Sequence, residues 1–186
     1  MAAAIAAAIL FGVSAPAAKV LASHAEPLVL GGILYLGAGL GLSVVRLARR
    51  TRSREAPLRR SDLPILLGVT AAGGILAPVL LLVGLQRVSA VTGSLLLNLE
   101  GPITVVLAVL FFGEHLGSYA AIGTLCIMAG AATLSVAPGG SMRGQMGGVL
   151  AIAAACLAWA LDNNLTQRLS LRDPIAIVQA KGLIGG

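Results

Sequence analysis

Few residues in this chain can do chemistry, and those that can stand inside oily runs. In "NLEGPITVVLAVLFFGE", from Asn98 to Glu114, the carboxylate of Glu100 lies between the amide of Asn98 and the ring of Pro102. Farther on, Trp159, Asp162, Asn163, Thr166 and Ser170 recur at spacings that share one helical face. Lys19 falls on a face with Gly12, Pro16 and Ser23. A charge at the centre of a membrane span costs about 2.5–3.5 kcal/mol on insertion scales, so such residues face a cavity, a partner or the bundle interior. Chemistry of this kind serves passage rather than bond-making: it holds a solute group, an ion or a proton away from lipid.

Each residue carries more than one reading. Pro102 removes the N–H that would bond the carbonyl of Asn98, which leaves a polar and bent site beside Glu100. Interrupted helices of this sort bind substrates and ions in secondary transporters. Glu100 then lies on the transport pathway, or glues helices together by pairing with Lys19, or stands at an exposed helix end. Lys19 serves the pathway or snorkels to the near interface. Trp159, the one tryptophan, lines a cavity or simply packs. Asp162, with Asn163 and Asn164 next to it, is a pathway cluster or the end of a shorter span.

These residues are positioned by an apolar chain. Of 186 residues 58% are hydrophobic and 11% charged, and the mean hydropathy is +0.96. Soluble domains carry about 25% charged residues. With roughly 20 residues per span, the chain has room for a bundle of transmembrane helices and little else. The fold class is an all-α polytopic membrane protein. Six apolar segments, 2–22, 28–47, 63–85, 89–112, 117–137 and 146–167, are followed by a seventh that starts at Pro174. Pro27, Pro64 and Pro174 stand at segment starts, where a missing N–H costs nothing. "APGGSMRGQ", from Ala137 to Gln145, reads as a turn. Gly37 with Gly41, and Gly113 with Gly117, have the spacing that lets helices approach closely. Glu114 ends the fourth segment against the helix dipole, so a partner is expected from the start of the fifth. His115 reads as a solvated loop residue, and Cys126 and Cys156 as packing residues.

The net charge of +6 does not mark a nucleic-acid binder. Seven of the thirteen basic residues fall between Arg46 and Arg60, and Arg168 and Arg172 belong to the same side by segment parity. The other side keeps Arg87 and Arg143. Positive residues gather on the cytoplasmic side, which places the N-terminus and the Arg46–Arg60 loop in the cytoplasm and the anionic lipid surface beside them. Arg in excess of Lys, with much Ala and Gly, points to a GC-rich bacterial genome and hence to the inner membrane. A weak internal echo aligns Ala7–Leu28 with Ala154–Ile175, matching Ser23 to Ser170 and Pro27 to Pro174. Five spans separate the copies, the parity of an inverted repeat.

"ILFGVSAPAAKVL", the basic loop, "SAVTGSLLLNLEGPITVVLAVLFFGEHLG" and "AAIGTLCIMAGAATLS" together resemble the EamA-like family of the drug/metabolite transporter superfamily. The marks are Pro102, Gly113 with Glu114, and Gly123 with Gly130. The resemblance implies a ten-helix architecture of two five-helix repeats, of which this chain holds residues 1–137 as one repeat and 138–186 as the start of an inverted second. The chain stops inside its seventh span and so resembles a truncated member.

The function expected is secondary transport, as an exporter of small metabolites, amino acids or drug-like compounds by alternating access. A proton gradient or the solute gradient is the drive. The expected pathway residues are Glu100, Asn98, Pro102, Trp159, Asp162, Asn163 and Lys19. No cofactor or metal site is expected, the partners being lipid, a small solute and protons. The oligomeric state stays open, a homo-oligomer included. A non-transporting subunit or a small channel is the alternative. An intramembrane enzyme fits least, because His24 and His115 fall in loops and no ligand-spaced motif appears.

Overall fold

Proline and glycine decide where the helices begin, break and touch. The structure, a computed structural model, describes residues 1–49, 55–134 and 142–186. Helix α1 is Ala2–Ala22, and α2 begins at a proline and runs Pro27–Arg49. The third span, Arg60–Arg87, is made of α3 (Leu63–Val69), a π-helical turn (Thr70–Leu76) and α4 (Ala77–Arg87). The fourth consists of α5 (Ala90–Leu96), a 3-10 turn (Leu97–Leu99) and α6 (Glu100–Phe112). Then come α7 (Ser118–Leu134), α8 (Met142–Gln167) and α9 (Pro174–Gly185).

Among the described residues, five helical segments are long and apolar enough to cross a membrane: Ala4–Ala22, Pro27–Ala48, Arg60–Arg87, Ala90–Phe111 and Gln145–Gln167. The apolar helices Ser118–Ala131 and Pro174–Gly185 are shorter. This is an all-α polytopic membrane protein. The expected segments agree with these helices to within a few residues. One expectation changes. Met142 to Gln145, read as the end of a turn, already form the first turn of α8. Residues 135–141, where the turn and the expected 137/138 boundary fall, lie outside the described residues, as do Arg50, Arg52 and Arg54 of the basic loop.

Helix α8 is the axis of the bundle, packed on α4, α6 and α3. Leu85, Leu96, Ile152 and Cys156 are fully buried in one core cluster where α4, α5 and α8 meet. Leu66, Val69, Leu169 and Ile177 form a second where α3 meets α9. Cys156 packs as expected, whereas Cys126 is exposed on α7.

The close helix approaches are not at the glycines expected. A Cβ on Gly37, Gly41, Gly113 or Gly117 would meet nothing within 4 Å. The contacts are instead Gly39 against Gly182, where an added Cβ would come within 2.8 Å of the facing backbone, and Gly84 against Gly148, within 2.9 Å. A four-residue glycine spacing marks a smooth stripe, but only the fold decides which stripe faces a helix.

Hydrogen bonds across the chain tie the helix ends together. At one end Lys19 donates to the carbonyl of Leu85, and Gln86 donates to that of Ala22 at 2.8 Å. Each side chain thus caps the other's helix, supplying carbonyls that lack an intrahelical donor. Lys19 therefore holds α1 to α4 rather than reaching outward. At the other end, Arg172 pairs with Asp62 at 2.7 Å, and Asp62 also accepts the N–H of Arg59 at 2.8 Å. Asp173 caps α9, accepting from Ile175 at 3.0 Å, and its own N–H bonds Ala56 at 3.0 Å. The basic connection is thereby docked on the start of α9.

Candidate functional site

The third span carries the main irregularity, and Pro78 explains it. In the π turn the N–H of Ala77 reaches back five residues to the carbonyl of Ala72. The next donor in that ladder would be residue 78, which is proline and has no N–H. The carbonyl of Gly73 is left without its intrahelical partner. Two side chains take it up: the hydroxyl of Tyr35 on α2 donates at 2.6 Å, and the indole N–H of Trp159 on α8 donates at 3.1 Å. A break of the kind expected at Pro102 thus occurs with a clear polar consequence at Pro78. π turns of this kind recur at functional sites.

Gly73 also admits a charge. A Cβ at this position would overlap the carboxylate of Asp162, so glycine is what lets α8 lie against the turn. Asp162 is 4% exposed. It pairs with Lys181 of α9 and accepts from Thr166 at 3.1 Å. A buried carboxylate needs such partners, since an unpaired charge there costs several kcal/mol.

Glu100 lies on the other side of Trp159. Both line a half-open cavity of about 510 Å³, bordered by α1, α2, α4, the turn at Leu97, the start of α6 and α8. Its wall is largely apolar, formed by Phe11, Leu34, Pro78, Leu81 and Leu97, with Ser14, Tyr35, Trp159 and Glu100 as polar groups. Glu100 is the one carboxylate among the described lining residues. It accepts a 2.8 Å hydrogen bond from the amide of Asn163. Among the described residues no ion pair joins it to Lys19. Volume and character fit a small organic molecule.

A second cavity, of about 350 Å³, follows the seam between α6 and α8 toward the turn after α6. Thr104, Ala108, Glu114, His115, Asn163, Asn164 and Gln167 line it. Asn164, only 5% exposed, donates to the carbonyl of Thr104 at 3.2 Å and to that of Ala160 at 2.8 Å.

The candidate residues are thus distributed in space. Glu100 and Trp159 share a cavity, Asn163 bonds Glu100, and Asp162 sits behind Trp159 in its ion pair. Asn98 turns back onto its own helix, donating to Leu95 at 3.1 Å. Pro102 is buried, and the helix before it tightens into the 3-10 turn. The expected common face on α8 divides: Trp159, Asp162 and Thr166 meet the third span and α9, Asn163 faces α6, and Ser170 lies beyond the helix end. Glu114 takes its partner from α8, where Gln167 donates at 3.2 Å, and not from the start of α7. His115 is exposed as expected. Tyr35, Gly73, Pro78, Lys181 and Gln167 were not among the expected site residues. Lys181 and Tyr35 had a usable signal as polar side chains inside apolar runs, and Gly73-Gly74 before a proline was another.

The chain is a member of the EamA-like transporter family, which it matches over residues 1–136. It is 33% identical over 196 residues to an uncharacterized transporter of Methanothermobacter thermautotrophicus, covering 98% of this chain and 57% of that relative. The chain therefore spans little more than half the length of the curated relative it matches. No solved structure matches it.

Proposed function

We propose that the protein is a secondary transporter that carries small organic solutes with a positively charged group and an apolar body. The 510 Å³ cavity is the solute site. Glu100 provides the fixed counter-charge, and Tyr35 and Trp159 provide aromatic faces for the cation and its body. The observation that carries this reading is a single carboxylate, among the described lining residues, on a largely apolar wall. A site of that kind rejects anions and favours amines, which covers amino compounds and cationic drugs alike. Asp162 and Lys181 neutralise each other behind the wall and leave the sign of the cavity to Glu100.

Transport proceeds by alternating access, with two inverted halves rocking about the cavity. The direction is export, with protons as the coupling ion. The basic end faces the cytoplasm of a bacterial cell. Family membership, the cavity and the placement of Glu100 beside Trp159 support this reading.

The test is uptake or efflux by the complete protein in liposomes. Glu100→Gln is expected to lower transport of an organic amine at least about tenfold, the size of one lost charge-assisted contact. Glu114→Gln, outside this cavity, is expected to lower it less. Equal and negligible losses would remove Glu100 from the pathway.

A further inference from the structure

We infer that the hydrogen bond between Asn163 and Glu100 is a gate, and that the 350 Å³ cavity beyond it is a second station for the same solute. The inference rests on reading the first cavity as the solute site. Its argument is positional. Glu100 is on the wall of the larger cavity, and Asn163 is on the wall of the smaller one. The 2.8 Å bond between their side chains therefore stands where the two spaces adjoin.

The second cavity has a carboxylate of its own. Glu114 accepts from Gln167 of α8 at 3.2 Å, beside the amides of Asn163 and Asn164 and the ring of His115. Asn163 and Gln167 are four residues apart and so lie on one face of α8. A cationic solute leaving Glu100 meets a second carboxylate at the end where the chain turns toward solvent.

The seam is fixed next to the gate and loose at it. Asn164 is buried and locked to the carbonyls of Thr104 and Ala160, whereas Asn163 is exposed and its amide is held by the Glu100 carboxylate alone among the bonds found for it. A solute ammonium reaching Glu100 competes with that amide for the same oxygen. Binding thus weakens the bond that closes the way onward. The solute is its own key.

The gate is tested by side-chain accessibility, which needs no transport. In the complete protein, with Cys126 and Cys156 replaced by alanine, Ser14→Cys places a thiol in the larger cavity. An impermeant maleimide is applied from the membrane face that carries Glu114. With Asn163 in place labelling is slow. Asn163→Ala is expected to raise the rate by roughly tenfold to a hundredfold, the population shift that follows when a bond to a charged acceptor no longer holds the closed form. Asn163→Leu, which fills the same space without the bond, is expected to raise the rate as well, and a rate that stays slow there would overturn the bond as the gate. Glu100→Gln keeps an oxygen that accepts from Asn163, so labelling is expected to stay slow although solute transport is lost. A rate unchanged by Asn163→Ala overturns the gate even if Glu100 proves essential for transport. A raised rate with transport indifferent to Glu100 keeps the gate and removes the solute reading.

Discussion

Asp162 on α8 and Lys181 on α9 form an ion pair laid directly against the backbone of Gly73, with 6% and 15% of their side chains exposed. Two charges in apolar helices stabilise each other mainly by preventing something worse, an unpartnered charge. Lys181→Met leaves Asp162, among the described residues, with Thr166 as its side-chain partner and is expected to cost about 3–5 kcal/mol. The double variant Asp162→Leu with Lys181→Met removes both charges and is expected to recover most of that loss. Unfolding in mixed detergent micelles measures both. A double variant as unstable as Lys181→Met alone would show that the pair does more than neutralise itself.

The glycine beneath that pair has a different cost. A Cβ at position 73 overlaps the Asp162 carboxylate, whereas a Cβ at position 37 meets no atom of this chain. Gly73→Ala is expected to destabilise by about 1–3 kcal/mol through overpacking, and Gly37→Ala is expected to be neutral or slightly stabilising. Thermal aggregation of the two proteins in detergent compares them directly.

The carbonyl of Gly73 has two donors, Tyr35 and Trp159, so neither alone is essential to it. Tyr35→Phe and Trp159→Phe are each expected to lose about 1 kcal/mol of hydrogen bonding, with any packing loss added for the indole. The double variant leaves a carbonyl that Pro78 cannot satisfy either, and its loss is expected to exceed the sum of the two. A double-mutant cycle on unfolding free energy reads the excess. Strict additivity would mean that water or another donor replaces both.

The helices were legible because apolar runs bounded by Pro27, Pro64 and Pro174 leave little choice in lipid. The neighbourhood of Glu100 and Trp159 was partly legible, since both are polar or aromatic groups inside such runs. The partners were not. Lys181 meets Asp162 only because the chain reverses between α8 and α9, and periodicity along one helix does not carry that information. Gly73 was hidden for another reason: which carbonyl Pro78 frees depends on whether the ladder reaches back four residues or five. Asn163 and Asp162 read as one face because they are neighbours, yet a step of one residue turns about 100° around a helix. That turn sends one to α6 and the other to α9.

Sidedness can be checked residue by residue. The docked connection brings Arg59 and Arg46 to the end that holds Arg172 and Asp173, through the Asp62–Arg172 pair and the Arg46–Asp173 pair at 3.8 Å. Arg87 closes α4 at the opposite end, beside Gly147 of α8. Each Lys or Arg near an anionic leaflet contributes about 1 kcal/mol, so this excess favours the basic end inside. Ser61 and Ser89 are exposed at the two ends of the third span. In a background with Cys126 and Cys156 replaced, Ser89→Cys is expected to react with an impermeant maleimide in intact cells, and Ser61→Cys only after permeabilisation. The reverse pattern would put the basic end outside and turn the proposed direction of transport around.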